Sequence, residues 1–159
     1  MKYALLAAAA IALPFCAQAK PISTASADGI LTQSGLPVED DWSTSGTARL
    51  RDTRTGDIRM TVRLGNCDES DTCQFVMLFA TFDLGVPATL EDFRRTNHYN
   101  DSHPLGRAFL IEGKGEEDGA IAGIDYIIDL SGDAEFDPAD IEMFQTIVAS
   151  YINHWTENQ

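Results

Sequence analysis

The spacing of apolar residues along this chain sets its elements. Between residues 58 and 64 the alternation is strict, with Ile58, Met60, Val62 and Leu64 set against Arg59, Thr61 and Arg63. That is the period of a strand with one buried face. Residues 47–51 read as a strand before it, joined through the turn Thr55-Gly56-Asp57. A third strand opens at Cys73 and runs to about Phe82. Its residues 74–82 are apolar on both faces, which makes it a central strand needing cover on both sides. A helix can cover one side; the other needs a further helix or another molecule. Residues 106–112 and 121–130 give the fourth and fifth strands. In the fifth, Ile124, Tyr126, Ile128 and Leu130 share one face, and Asp125 and Asp129 lie on the other.

Three stretches carry helical signals. Residues 28–34 form a short helix stopped by Gly35 and Pro37. Thr89 caps a second that runs to about Tyr99, with Asp92 completing a pair like a capping box. The third signal is the strongest. Asp137 stands as N-cap, Pro138 at the first helical position and Asp140 at the third. Ile141, Phe144, Val148, Tyr151, Ile152 and Trp155 then recur at helical spacing. The predicted class is α+β, a five-stranded antiparallel sheet with helices in the order α-β-β-β-α-β-β-α.

Residues 1–19 add an address. Lys2 supplies one positive charge, residues 4–15 are apolar, and Ala17-Gln18-Ala19 is the small-x-small pattern of a signal peptidase site. The apolar run is shorter than the roughly 20 residues that span a bilayer. Cys16 raises a lipoprotein reading, but a lipobox wants a small residue before its Cys and Phe15 stands there. The expected organisation is a signal peptide at 1–19, a flexible Ser/Thr/Pro-rich segment at 20–27 and one domain at 28–156. The expected location is periplasmic or secreted, with no membrane attachment after cleavage.

Export bears on the cysteines. Cys67 and Cys73 remain once Cys16 leaves, and an even count in an oxidising compartment predicts a structural disulfide. The turn residues between them place that bridge at the mouth of a hairpin. The net charge of −14 becomes −15 once Lys2 is removed with the leader. A field of that sign repels phosphate backbones, so nucleic acid is not an expected partner.

Candidate chemistry is sparse. The chain has no G-x-S-x-G nucleophile elbow. His98, His103 and His154 show no metal-ligand spacing. The loop at 113–119 has the glycines of a phosphate cradle but holds three consecutive acids and lacks its Lys-Ser/Thr ending. Asp129, Ser131, Asp133, Asp137 and Asp140 fall at positions 1, 3, 5, 9 and 12 of a calcium-loop frame. Ala134 replaces the required glycine at position 6, and Asp140 is shorter than the usual bidentate Glu. Asp129, Asp133 and Asp137 are thus weak candidates, and no metal or cofactor is expected.

Several stretches together resemble the YbjN domain, a family of bacterial proteins described as sensory transduction regulators. They are Ile30-Leu31-Thr32-Gln33-Ser34-Gly35-Leu36, the Cys67…Cys73-Gln74-Phe75 hairpin, Phe79-Ala80-Thr81-Phe82, Asn97-His98-Tyr99-Asn100, Gly106-Arg107-Ala108-Phe109-Leu110, and the helix after Leu130-Ser131-Gly132-Asp133. The resemblance implies a fold similar to type III secretion chaperones, which pair as homodimers and bind client segments, and it implies no enzymatic activity. The functional expectation is an exported, non-catalytic binding or regulatory module that engages a protein partner or a second copy. Phe75, Met77, Phe79, Asn97 and Asn100 are its candidate partner surface. The alternative is a small-ligand or calcium-binding protein using the acidic loops at 116–118 and 129–140.

Overall fold

Strict alternation at 58–64 does produce a strand buried on one face, and the rest of the sheet is ordered around it. The computed structural model describes residues 19–38, 40–115 and 118–157. The signal peptide expected at 1–19 lies outside them except for Ala19. In chain order the elements are β1 (Ile22–Ser23), α1 (Thr24–Gln33), β2 (Ser43–Ser45), β3 (Ala48–Thr55), β4 (Ile58–Gly65), β5 (Thr72–Cys73), β6 (Phe75–Asp83), α2 (Leu90–Ser102), β7 (Arg107–Ile111), β8 (Ile121–Asp129) and α3 (Pro138–Glu157).

The class is α+β, with three helices among the described residues and antiparallel pairing, but the expected strand count and order are corrected. The main sheet has six strands, β2-β3-β4-β6-β8-β7, not five. A separate two-stranded sheet pairs β1 with β5. The sixth strand, β2, is Ser-Thr-Ser and fully exposed, so no hydrophobic period marks it. It exists because Gly46 takes φ 60 and turns the chain back along β3, setting Ser45 opposite Ala48. Residues 20–27 are likewise not a frayed tail. Ile22 pairs with Cys73, Ser23 caps α1 by accepting from the Ser26 amide at 3.2 Å, and Ala27 is buried. The helix therefore begins four residues before the expected start at Asp28.

One face of the sheet carries the core. Met60, Val62 and Leu64 of β4, Val76, Leu78 and Ala80 of β6, and Ile124 and Ile128 of β8 are buried there. Leu31 of α1, Tyr99 of α2, and Ile141, Phe144, Val148 and Tyr151 of α3 join the same cluster. The caps expected for α2 and α3 form. Thr89 and Asp92 exchange both capping-box bonds, and Asp137 accepts from the Ala139 amide at 2.7 Å. Arg51 is the charged member of this buried face. Its guanidinium stacks on Trp42 and sits 3.0 Å from Asp28, whose carboxylate also accepts from the Trp42 indole at 2.9 Å. That network ties the acidic segment before β2 to α1.

Cys67 and Cys73 are bonded to each other, at an S–S distance of 2.09 Å. The closed loop is anchored to the rest of the domain through its own Asp71. Its carboxylate accepts from the Thr24 hydroxyl at 2.5 Å and from Arg49 at 2.7 Å. Asp71 has φ 62, a conformation Asp tolerates better than most residues.

Candidate functional surface

The second face of β6 has no helix over it among the described residues. Register defines what stands there. Leu50, Arg63, Met77 and Ile127 form one row across β3, β4, β6 and β8. Asp52, Thr61, Phe79, Asp125 and Arg107 form the next, reaching β7. Arg54 pairs with Arg59 across β3 and β4, and Thr81, Gly123 and Phe109 form a row across β6, β8 and β7. Ile121 and Ile111 pair at the far end. Phe75, Met77 and Phe79 are half-buried, while Ile127 is 49% and Ile111 53% exposed.

Two glycines make this face flat. A Cβ on Gly65 would lie 1.9 Å from the Phe75 ring, and one on Gly123 would lie 2.2 Å from the Phe109 ring. Gly65 and Phe75 are register partners, as are Gly123 and Phe109. Each ring thus lies across the strand beside it, where a side chain would otherwise stand upright.

The polar groups of the face are paired in place. Asp125 is only 4% exposed, and Arg107 donates to its Oδ2 through Nε at 3.1 Å and Nη2 at 2.5 Å. Asp52 accepts from the Thr61 hydroxyl at 2.6 Å and from Arg59. The Thr61 bond, with Arg59, holds the Asp52 carboxyl below the usual carboxylate range.

The sequence-derived surface residues divide between two places. Phe75, Met77 and Phe79 lie together on the open face. Asn97 and Asn100 belong to α2 instead, beside the outer edge of β7. Asn97 is exposed. The Asn100 amide donates to the Ala108 carbonyl at 3.1 Å, and its Oδ1 accepts from the Ala108 amide at 2.8 Å. Asn100 thereby stands in for a neighbouring strand at that point of the edge. Sequence reasoning missed Phe109, Ile111, Ile121 and Ile127 as members of the face. Their alternation was legible, but strand order was needed to set them beside β6.

The acidic frame does not converge. Asp129 accepts from the Ser131 amide at 2.9 Å, which lowers its pKa, and Asp137 caps α3. The Asp140 carboxyl is instead raised, chiefly by burial, while its bond from the Tyr126 hydroxyl pulls it down. Asp133 lies near Lys20, whose ammonium binds Glu135 at 2.8 Å. Glu116 and Glu117 lie outside the described residues. The three histidines, unrelated in sequence spacing, are gathered by α2 and α3. The His154 ring centroid is 5.5 Å from that of His98 and 6.0 Å from that of His103. One nitrogen of each ring is engaged, with Ser102, the Tyr99 carbonyl and the Arg95 carbonyl respectively for His98, His103 and His154. No group of three His, Cys, Asp or Glu among the described residues is arranged to hold a metal ion.

A polar depression of about 480 Å³ beside β3 and β4 is lined by Pro37, Asp40, Asp52, Thr53, Arg54 and Arg59. Within it, Asp52 accepts from Thr61 and Arg59, and the Thr53 hydroxyl donates to the Pro37 carbonyl at 2.8 Å. No helix among the described residues is long and apolar enough to cross a membrane.

The chain is an α+β domain whose helices, among the described residues, lie on one side of an antiparallel sheet and leave the other side open. The family model described as "Putative bacterial sensory transduction regulator" matches residues 28–156, and the chain belongs to that family, YbjN. The description is regulatory and names no reaction. No curated protein and no solved structure matches the chain significantly.

Proposed function

We propose that this chain is an exported, non-catalytic regulatory module that docks a partner protein on the open face of its sheet. The observation that carries this is the apolar group Phe75, Met77, Phe79 and Ile127 on β6 and β8, with Phe109 and Ile111 of β7 beyond the Asp125–Arg107 pair, and no helix over them among the described residues. Contiguous exposed apolar surface of this kind marks an interaction site. Flat rings over Gly65 and Gly123 favour contact with a broad surface over capture of a small ligand, which needs a concave pocket.

The leader pattern at 1–19 and the bonded Cys67–Cys73 pair support export to an oxidising compartment.

Photo-crosslinking in the native compartment tests the reading. A photoreactive residue at position 127 should give a discrete protein adduct, and one at exposed Met143 on α3 should not. Equal labelling from both positions, or none from position 127, counts against docking at this face.

A further inference from the structure

We infer that the occupant of the open face is an acidic amphipathic helix of a partner protein. This rests on the docking reading above and names the chemistry of the partner.

Charge is the first argument. The chain has 11 Lys and Arg against 25 Asp and Glu, yet Arg54, Arg59, Arg63 and Arg107 all stand on this one face. The acids that share it are already engaged within the chain. Asp52 is held by Thr61 and Arg59 and Asp125 by Arg107, while Asp83 and Asp129, at the two ends of the face, accept from the Gly85 and Ser131 amides. Arg54 and Arg63 are exposed and pair with no carboxylate among the described residues. The remaining surface is strongly anionic. An acidic partner is therefore repelled elsewhere on the molecule and received here.

Width is the second argument. Arg63 on β4 and Arg107 on β7 are separated by the β6 and β8 strands. Three strand spacings make that about 14 Å. Met77, Phe79 and Ile127 lie between them. An α-helix with its side chains is about 10–12 Å across. A helix seated on β6 and β8 buries its apolar stripe on those side chains. Carboxylates on its two flanks then reach Arg63 on one side and Arg107 on the other.

Two other occupants fit less well. An added strand would need a free edge, but Asn100 already holds the outward groups of Ala108 and β2 is only three residues long. A second copy packed face to face would bring together two molecules of the same strongly negative net charge.

Two synthetic helical peptides of about 18 residues test this by fluorescence anisotropy on the full exported chain. Both carry Leu at helical spacing; one has Glu on both flanks of the stripe, the other Lys. The Lys peptide is attracted by net charge to other surfaces, so binding at the face is read as the affinity lost in Ile127→Gln. The Glu peptide is expected to lose about tenfold in Ile127→Gln and about fivefold in Arg63→Gln, with that second loss vanishing near 0.5 M salt. The Lys peptide is expected to respond to neither. Both residues are exposed, so neither variant opens the core. If Ile127→Gln weakens the Lys peptide and spares the Glu peptide, the acidic helix is overturned and the docking face stands. If neither peptide responds to Ile127→Gln, both fail. A dimer that Ile127→Gln converts to monomer assigns the face to a second copy and overturns the inference.

Discussion

The side-chain amide of Asn100 satisfies both outward backbone groups of Ala108, the amide at 2.8 Å and the carbonyl at 3.1 Å. A residue on a helix thus finishes the edge of a sheet. Edge strands offer unpaired groups to other chains, and proteins cover them in this way.

Asn100→Ala exposes those two groups. The expected cost is about 1–2 kcal/mol from the lost hydrogen bonds. A gain in self-association through β7 should accompany it. Thermal melts with light scattering over a concentration series check both; unchanged stability with no association would show the edge needs no cover.

Gly65→Ala forces the Phe75 ring off its neighbour, since the new Cβ would meet only atoms of that ring within 2.5 Å. The expected loss is about 1–2 kcal/mol. In a Phe75→Leu background the same substitution should cost clearly less, because the clash is gone. A double-mutant cycle by urea denaturation reads the coupling, and additivity of the two changes would refute ring-over-glycine packing.

Asp28→Ala strands the Arg51 guanidinium, which is 5% exposed and keeps only the Asp40 carbonyl and the Trp42 ring. Breaking a buried pair from one side costs about 3–5 kcal/mol, and the remaining contacts place this case at or below the low end. Replacing both partners, as Asp28→Ala with Arg51→Met, should recover much of the loss. Chemical denaturation of the three variants decides it.

Removing the bridge with Cys67→Ser and Cys73→Ser frees a loop of seven residues. Loop entropy for that length is about 2 kcal/mol. The loop should still be held by Asp71 to Thr24 and Arg49, so folding persists and only the denaturation midpoint falls. Collapse of the whole domain would show that the bridge does more than close a loop.

Acid should destabilise the protein below about pH 4. The Thr24 hydroxyl, with Arg49, holds the Asp71 carboxyl below its ordinary value, and the Thr61 hydroxyl does the same for Asp52. A depressed folded-state pKa contributes stability above the unfolded value near 3.9, and that contribution is lost as pH falls through the folded value. Asp140 is raised by burial and acts in the opposite sense, losing stability as pH climbs past 3.9. Asp71→Asn should flatten the acid limb of a melting-temperature profile between about pH 2 and pH 5, and Asn keeps the left-handed backbone at that site. A profile identical to the parent would remove Asp71 from this account.

Much of the chain could be read from its residues. Alternation at 58–64 and the cap at Asp137 are local signals, and local signals survive folding because neighbours in sequence set them. The short strands were not readable, since Ser43, Thr44 and Ser45 bury nothing and pair only because Gly46 reverses the chain. The site was half readable for a similar reason. Phe75, Met77 and Phe79 announce a strand apolar on both faces, whereas Ile111 and Ile127 join them only once β7, β8 and β6 lie side by side.

By itself, then, the order of residues determined which segments pair their backbones with neighbours, which wind into helices, and that β6 would demand cover on two sides. Tertiary structure alone decided that α1, α2 and α3 take the same side. It also set four arginines around the bare one, because strand order brings together residues that lie scores of positions apart in the chain.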